Sequence, residues 1–268
     1  MSAATLSSSS SSTVGFWGPT TSTIDWCEPN YAVSHYIAEF WNTWSNLFFV
    51  LLGLYGLVRS IAQGFELRFH LIYLNVMVVG IGSAMFHGTL TYVSQQCDET
   101  PMIWSTLLWF YILYSPLWES CPTWIDHMIV TSLVVVGASF AILHSIYRFT
   151  TAFQLLFSTL VVLCLPRLLY YYSHTTDARA RALVVTYLVC IVLAAACWLV
   201  DYHQCHAPYN VYGHAWWHCF MSMNAYAGPL FMQFVRAVSK GQRPHVVHTS
   251  CPLVLTIDIR DEELNKTE

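Results

Sequence analysis

Apolar residues fall in seven runs separated by short polar breaks, at about 40–59, 69–90, 100–118, 124–144, 150–171, 182–200 and 214–235. Each run is close to the roughly 20 residues that a helix needs to cross a hydrocarbon core, and the breaks leave no room for a second globular domain. The pattern predicts an all-α polytopic membrane protein, a seven-transmembrane-helix bundle occupying 40–236. Pro166 and Arg167 interrupt the fifth run, so its helix is expected to kink or end early there. Ahead of the bundle, residues 1–14 contain a serine run, Ser7 to Ser12, without the basic and apolar regions of a signal peptide, and read as a disordered tail. Residues 15–39 form a turn-rich segment with clustered acids, and 237–268, polar and broken by Pro244 and Pro252, reads as a mobile tail.

Composition agrees with the periodicity. Of 268 residues, 56% are hydrophobic and only 10% are Asp, Glu, Lys or Arg, less than half the charge of an ordinary soluble domain. A net charge of -4 with scattered basic residues offers no footprint for nucleic acid, and no obligatory protein partner is indicated. Nine cysteines without a C-x2-C pair suggest neither a structural zinc ribbon nor a thioredoxin-like site. The basic residues do set an orientation. With the N-terminus outside, the inner segments carry Arg59, Arg68, Arg167, Arg179, Arg181, Arg236, Lys240 and Arg243, and the outer loops only Arg148, which argues for a cytosolic C-terminus. The Asn265 sequon would then lie in the cytosol and stay unmodified.

Three histidines stand out against this background. His214 and His218, four residues apart at the start of the last run, share one face of a helix. The bland reading is a hydrogen-bonded pair inside the bundle. His87, near the end of the second run, is expected at the same outer depth, and three histidines with an open fourth position form the ligand set of a catalytic zinc. Such an ion acidifies a coordinated water and polarises a carbonyl. Ser83 precedes His87 by one turn and either donates to a developing oxyanion or satisfies a backbone carbonyl. Asp98, expected at the start of the third helix, is placed to move protons or else is a loop carboxylate beside Glu99. His70, His127 and His144 near helix ends, and His35, His174, His203 and His206 in loops, default to interfacial or solvated roles, while His245 and His248 in the tail are not expected to reach the core.

A second group, Asp25, Glu28, Asn30 and Glu39, gathers hard oxygen donors just before the first run, with the Trp26 carbonyl available beside them. Calcium suits such donors, but the spacing lacks an EF-hand frame, and an acidic solvated loop is the favoured reading of the spacing alone.

Four segments in order, Gly18-Pro-Thr-Thr-Ser-Thr-Ile-Asp25-Trp26-Cys27-Glu28, Ala38-Glu39-Phe-Trp-Asn42-Thr-Trp-Ser45-Asn46, Gly82-Ser83-Ala-Met-Phe-His87-Gly88-Thr89-Leu90 and His214-Ala-Trp-Trp-His218, resemble the alkaline ceramidases over about residues 15–236. The resemblance implies an intramembrane zinc amidase that cleaves ceramide, phytoceramide or dihydroceramide, drawn from the surrounding membrane lipids, into a sphingoid base and a fatty acid. It implies zinc on His87, His214 and His218, catalytic roles for Ser83 and Asp98, and calcium on Asp25, Trp26, Glu28, Asn30 and Glu39. It further implies a Cys27–Cys205 disulfide and a membrane of the endoplasmic reticulum or Golgi, with the N-terminus lumenal. The alternative is a seven-helix lipid-signalling receptor related to the adiponectin receptors, whose N-terminus is cytosolic. A di-iron hydroxylase would need several more histidine boxes, and a rhomboid-type protease a Gly-x-Ser-x-Gly environment that Gly82-Ser83-Ala-Met-Phe does not supply.

Overall fold

The computed structural model describes residues 15–205, 211–249 and 254–259. The serine-rich leader 1–14, His206 and the Asn265 sequon lie outside the described residues. Eight α-helices follow the N-terminal segment: α1 Phe40–Ser45, α2 Leu47–Ala62, α3 Leu67–Thr89, α4 Tyr92–Tyr114, α5 Thr123–Tyr147, α6 Thr150–His174, α7 Ala178–His203 and α8 Gly213–Ser239. Only Asn46 separates α1 from α2, and they run on as one 23-residue rod, so the described residues make seven rods.

Five rods are long and apolar enough to cross a bilayer, and the chain is an integral membrane protein. Their outward faces carry large apolar residues such as Leu51, Val134, Ile142, Val192 and Leu199, as expected where lipid replaces water. The other two, α4 and α8, have spanning length but carry many buried polar side chains. Gln95, Asp98 and Glu99 of α4, and His214, His218, Ser222, Asn224 and Gln233 of α8, are all buried. Several of these groups find partners inside: Asn224 Nδ2 donates to the Tyr187 carbonyl at 2.9 Å and Gln233 Nε2 to Ser60 Oγ at 2.8 Å. Buried polar groups without such bonds would each cost about 1–3 kcal/mol.

Three expectations need correction. The third helix begins at Tyr92, not near 100, because Leu90 turns the chain in the left-handed region and Thr91 caps the new helix by accepting from the Ser94 amide. Asp98 and Glu99 therefore sit two turns inside α4, with Pro101 in its interior. The fifth rod does not end at Pro166; α6 runs unbroken through it to His174. The segment after Ser239 is not simply a tail: β1 Pro244–His248 pairs antiparallel with β2 Leu255–Ile259. Val246 and Ile257 insert into the core, while Arg59 donates to Thr256 and Ile257, and Arg179 to the Val246 carbonyl. An alternating strand only five residues long leaves too faint a periodicity to separate from a polar tail. His245 and His248 are both exposed.

Candidate active site

His87 lies in the last turn of α3, and His214 and His218 occupy the first two turns of α8. Their ring centroids are 4.6–4.9 Å apart and their ligand atoms lie within 4.8 Å of one another. Among the described residues this is the one group of three or more His, Cys, Asp or Glu so gathered. All three are buried, His87 completely. Asp201 of α7 fixes where α8 starts, since its carboxylate accepts from the Gly213 and His214 amides and from the Cys27 amide at 3.1 Å. Gly213 permits that approach: a Cβ there would lie 2.6 Å from the Cys197 carbonyl oxygen. Trp26 of the N-terminal segment stacks on His214, ring centroids 3.7 Å apart, and covers that side of the group.

Two of the imidazoles are held from outside through Nδ1. His87 Nδ1 is bonded to the Glu39 carboxylate, leaving Nε2 buried without a partner. His218 Nδ1 is held by Ser45 Oγ at 2.8 Å, and its Nε2 is 3.4 Å from Ser83 Oγ. His214 Nδ1 is likewise buried and unpartnered. Orphaned buried nitrogens are unfavourable unless something accepts their lone pairs. Neutral imidazoles with outer carboxylate and hydroxyl partners suit a borderline-soft divalent ion such as zinc, so the residues fit that group.

Ser83, one turn before His87, faces α4. A Cβ on Gly82 would stand 1.9 Å from the Cys97 carbonyl oxygen, so the two backbones touch at this point. Pro101, having no N–H, leaves that carbonyl without its usual helical donor, and the carbonyl lies against the glycine. The contact brings the Asp98 carboxylate to the Ser83 hydroxyl. Asp98 and His214 then border an apolar cavity of about 260 Å³ between α4, α6, α7 and α8. Met102, Phe157, Val161, Trp217 and Met221 also line a further cavity of about 80 Å³ deeper in the bundle, so the two adjoin.

The N-terminal acids also converge. Glu28 accepts from the Trp41 and Asn42 amides at 2.7 and 2.8 Å, capping the positive end of α1. Asn30 Nδ2 donates to both oxygens of Asp25 at 3.1 Å. Glu39 is wholly buried and accepts from the Trp26 amide and from Asn42 Nδ2 as well as from His87. Burial lifts all three carboxyls above their ordinary range, Glu39 to about 7, against the opposing pull of these hydrogen bonds. Charge repulsion from Glu39 adds to the rise at Asp25 and Glu28. Cys27 and Cys205 are joined in a disulfide, Cα atoms 4.8 Å apart, which ties this segment to the end of α7.

Several residues of the site escaped the sequence reading. Glu39 stood among the loop acids, yet it also carries His87. Asp201 left a signal that could have been used, an ionisable residue closing a long apolar run. His144, expected at an interface, is fully buried and paired with Glu99.

Residues 18–255 match the family model described as Ceramidase. Similar proteins include an alkaline ceramidase of Arabidopsis thaliana, 46% identical over 235 residues that cover 86% of this chain and 90% of that one. Alkaline ceramidase 3 of Mus musculus is 32% identical over 244 residues (87% and 90% covered), and alkaline ceramidase YPC1 of Saccharomyces cerevisiae 32% over 258 (85% and 81%).

Proposed function

The chain belongs to the alkaline ceramidase family, and from that premise we propose that it hydrolyses the amide bond of ceramides, releasing a sphingoid base and a fatty acid. The family match favours this over the receptor reading. The observation that carries it is the placement of three inward imidazoles, two with partnerless nitrogens, beside Asp98 and Ser83 at the edge of an apolar cavity.

His87, His214 and His218 would hold zinc, which when bound polarises a carbonyl and acidifies a water. Glu39 and Ser45 orient the His87 and His218 rings through their Nδ1 atoms and so keep the other nitrogens inward. Ser83 donates a hydrogen bond to the oxygen of the tetrahedral intermediate. Asp98 takes the proton of the attacking water and returns it to the departing amine nitrogen. The cavity walls, chiefly Met102, Phe157, Trp217 and Met221, pack against an acyl or sphingoid chain and exclude bulk water.

In this reading all seven rods span the bilayer, α4 and α8 with their polar faces inward, and ceramide, phytoceramide or dihydroceramide enters sideways from the lipid. The N-terminus and the disulfide face the lumen of the endoplasmic reticulum or Golgi, where such a bond persists. Asp25, Glu28, Asn30, Glu39 and the Trp26 carbonyl hold calcium, whose charge would offset the repulsion among the buried carboxyls. Purified protein in detergent should release sphingoid base from ceramide, lose that activity to a chelator and regain it with zinc, whereas His218→Ala should be inactive and bind less metal. Full activity in chelated protein would overturn the metal-dependent reading.

A further inference from the structure

The cavity wall carries polar groups that the hydrolytic chemistry leaves unused. Besides Asp98 and His214, it is lined by Glu99, Gln154 and Ser158 in otherwise apolar surroundings. Glu99 follows Asp98 by one residue and so points about 100° further round α4, toward α5 and α6. It is 5% exposed, and two neighbours hold it: Gln95 Nε2 donates to Oε1 at 2.8 Å, and His144 Nε2 pairs with Oε2. His144 is fully buried within the rings of Phe140, Phe149 and Phe153. Gln95 is itself locked to Thr23 by two hydrogen bonds of 2.7 and 2.8 Å. Gln154 and Ser158 lie one turn apart on α6, on the same face.

A carboxylate fixed in an apolar cavity is expensive, and two hydrogen bonds occupy only about half of its roughly four lone-pair sites. Neither hydrocarbon chain of a ceramide calls for such a group. The polar part beyond the amide is the set of hydroxyls on the carbons flanking the one that bears nitrogen. We propose that Glu99, held by His144 and Gln95, accepts a hydrogen bond from a sphingoid hydroxyl, with Gln154 and Ser158 contacting the same headgroup, so that this wall selects hydroxylated long-chain amides. Glu99 is a specificity residue and His144 a positioning residue. The inference rests on the hydrolase reading given above.

The test compares ceramide with its 1-deoxy and 3-deoxy analogues, by turnover and by tryptophan-fluorescence titration, in wild type, Glu99→Gln and His144→Gln. The wild type should prefer ceramide over at least one analogue by roughly 10- to 100-fold, the range for a hydrogen bond to a charged group, and Glu99→Gln should shrink that preference to within about threefold. His144→Gln should raise KM for ceramide with little change in kcat and little effect on the disfavoured analogue. An unchanged preference in Glu99→Gln, or losses equal on every substrate, overturns the proposal while leaving the hydrolase reading intact. Selective binding without turnover would instead sink the hydrolase reading and keep this one.

Discussion

Gly82→Ala tests the packing that sets Ser83 against Asp98. The added methyl would sit 1.9 Å from the Cys97 oxygen and 2.5 Å from its carbonyl carbon, both backbone atoms that cannot swing aside. To restore ordinary contact of about 3.4 Å or more, α3 and α4 must part by well over 1 Å, an overpacking cost of about 1–3 kcal/mol. For a chain of this size that corresponds to a fall in melting temperature of roughly 2–12 °C. The displacement acts directly on the Ser83 and Asp98 pair, and an error of about 1 Å there is expected to lower kcat about 100-fold. Gly88→Ala is the matched control: it lies in the same helix beside His87, and its methyl would meet only Thr43 Oγ1 at 3.9 Å. Thermal unfolding in detergent and release of sphingoid base should therefore separate the two variants. Gly82→Ala with wild-type stability and turnover, or equal damage in both, would refute the argument that backbone contact between α3 and α4 builds the site.

Three further outcomes are expected. Glu39→Gln should weaken metal retention at the histidines about 10- to 100-fold and blunt the calcium response together, because one carboxyl touches both groups; loss of the calcium response with metal content unchanged would confine Glu39 to the loop. Burial raises the Glu66 carboxyl, but hydrogen bonds from Lys240 and Arg236 outweigh it and hold it down at about 2, so its contribution is present above pH 4.5 and is lost as pH falls toward 2; Glu66 is part-exposed, so Glu66→Gln should remove less than about 1 kcal/mol at neutral pH and flatten acid unfolding in that window, and an unaltered acid profile would contradict this. Cys205→Ser opens a link spanning 178 residues, worth at most about 5 kcal/mol by chain entropy, and should lower the melting temperature and loosen residues 15–39 to proteolysis; unchanged protection of that segment would deny the tether a role.

The seven rods were legible in the chain because each follows a local run of largely apolar residues, whatever the rest of the protein does. The histidine trio was legible for a related reason: ionisable groups are costly among such runs, and the spacing of His214 and His218 already puts both on one face. What the chain alone could not reveal was which partner each polar group would take. Glu39 meets His87 across 48 residues, Glu99 meets His144 across 45, and Asp201 meets the Cys27 amide across 174. Such pairings depend on how rods pack, and packing was decided by details such as Gly82 and Gly213, where a missing Cβ lets backbones touch. Local hydrophobicity thus determined the helical rods and their order; only the tertiary structure decided that one buried glutamate serves both the loop and the histidines, and that β1 and β2 pair against the bundle, since both follow from contacts between segments that do not sense each other along the chain.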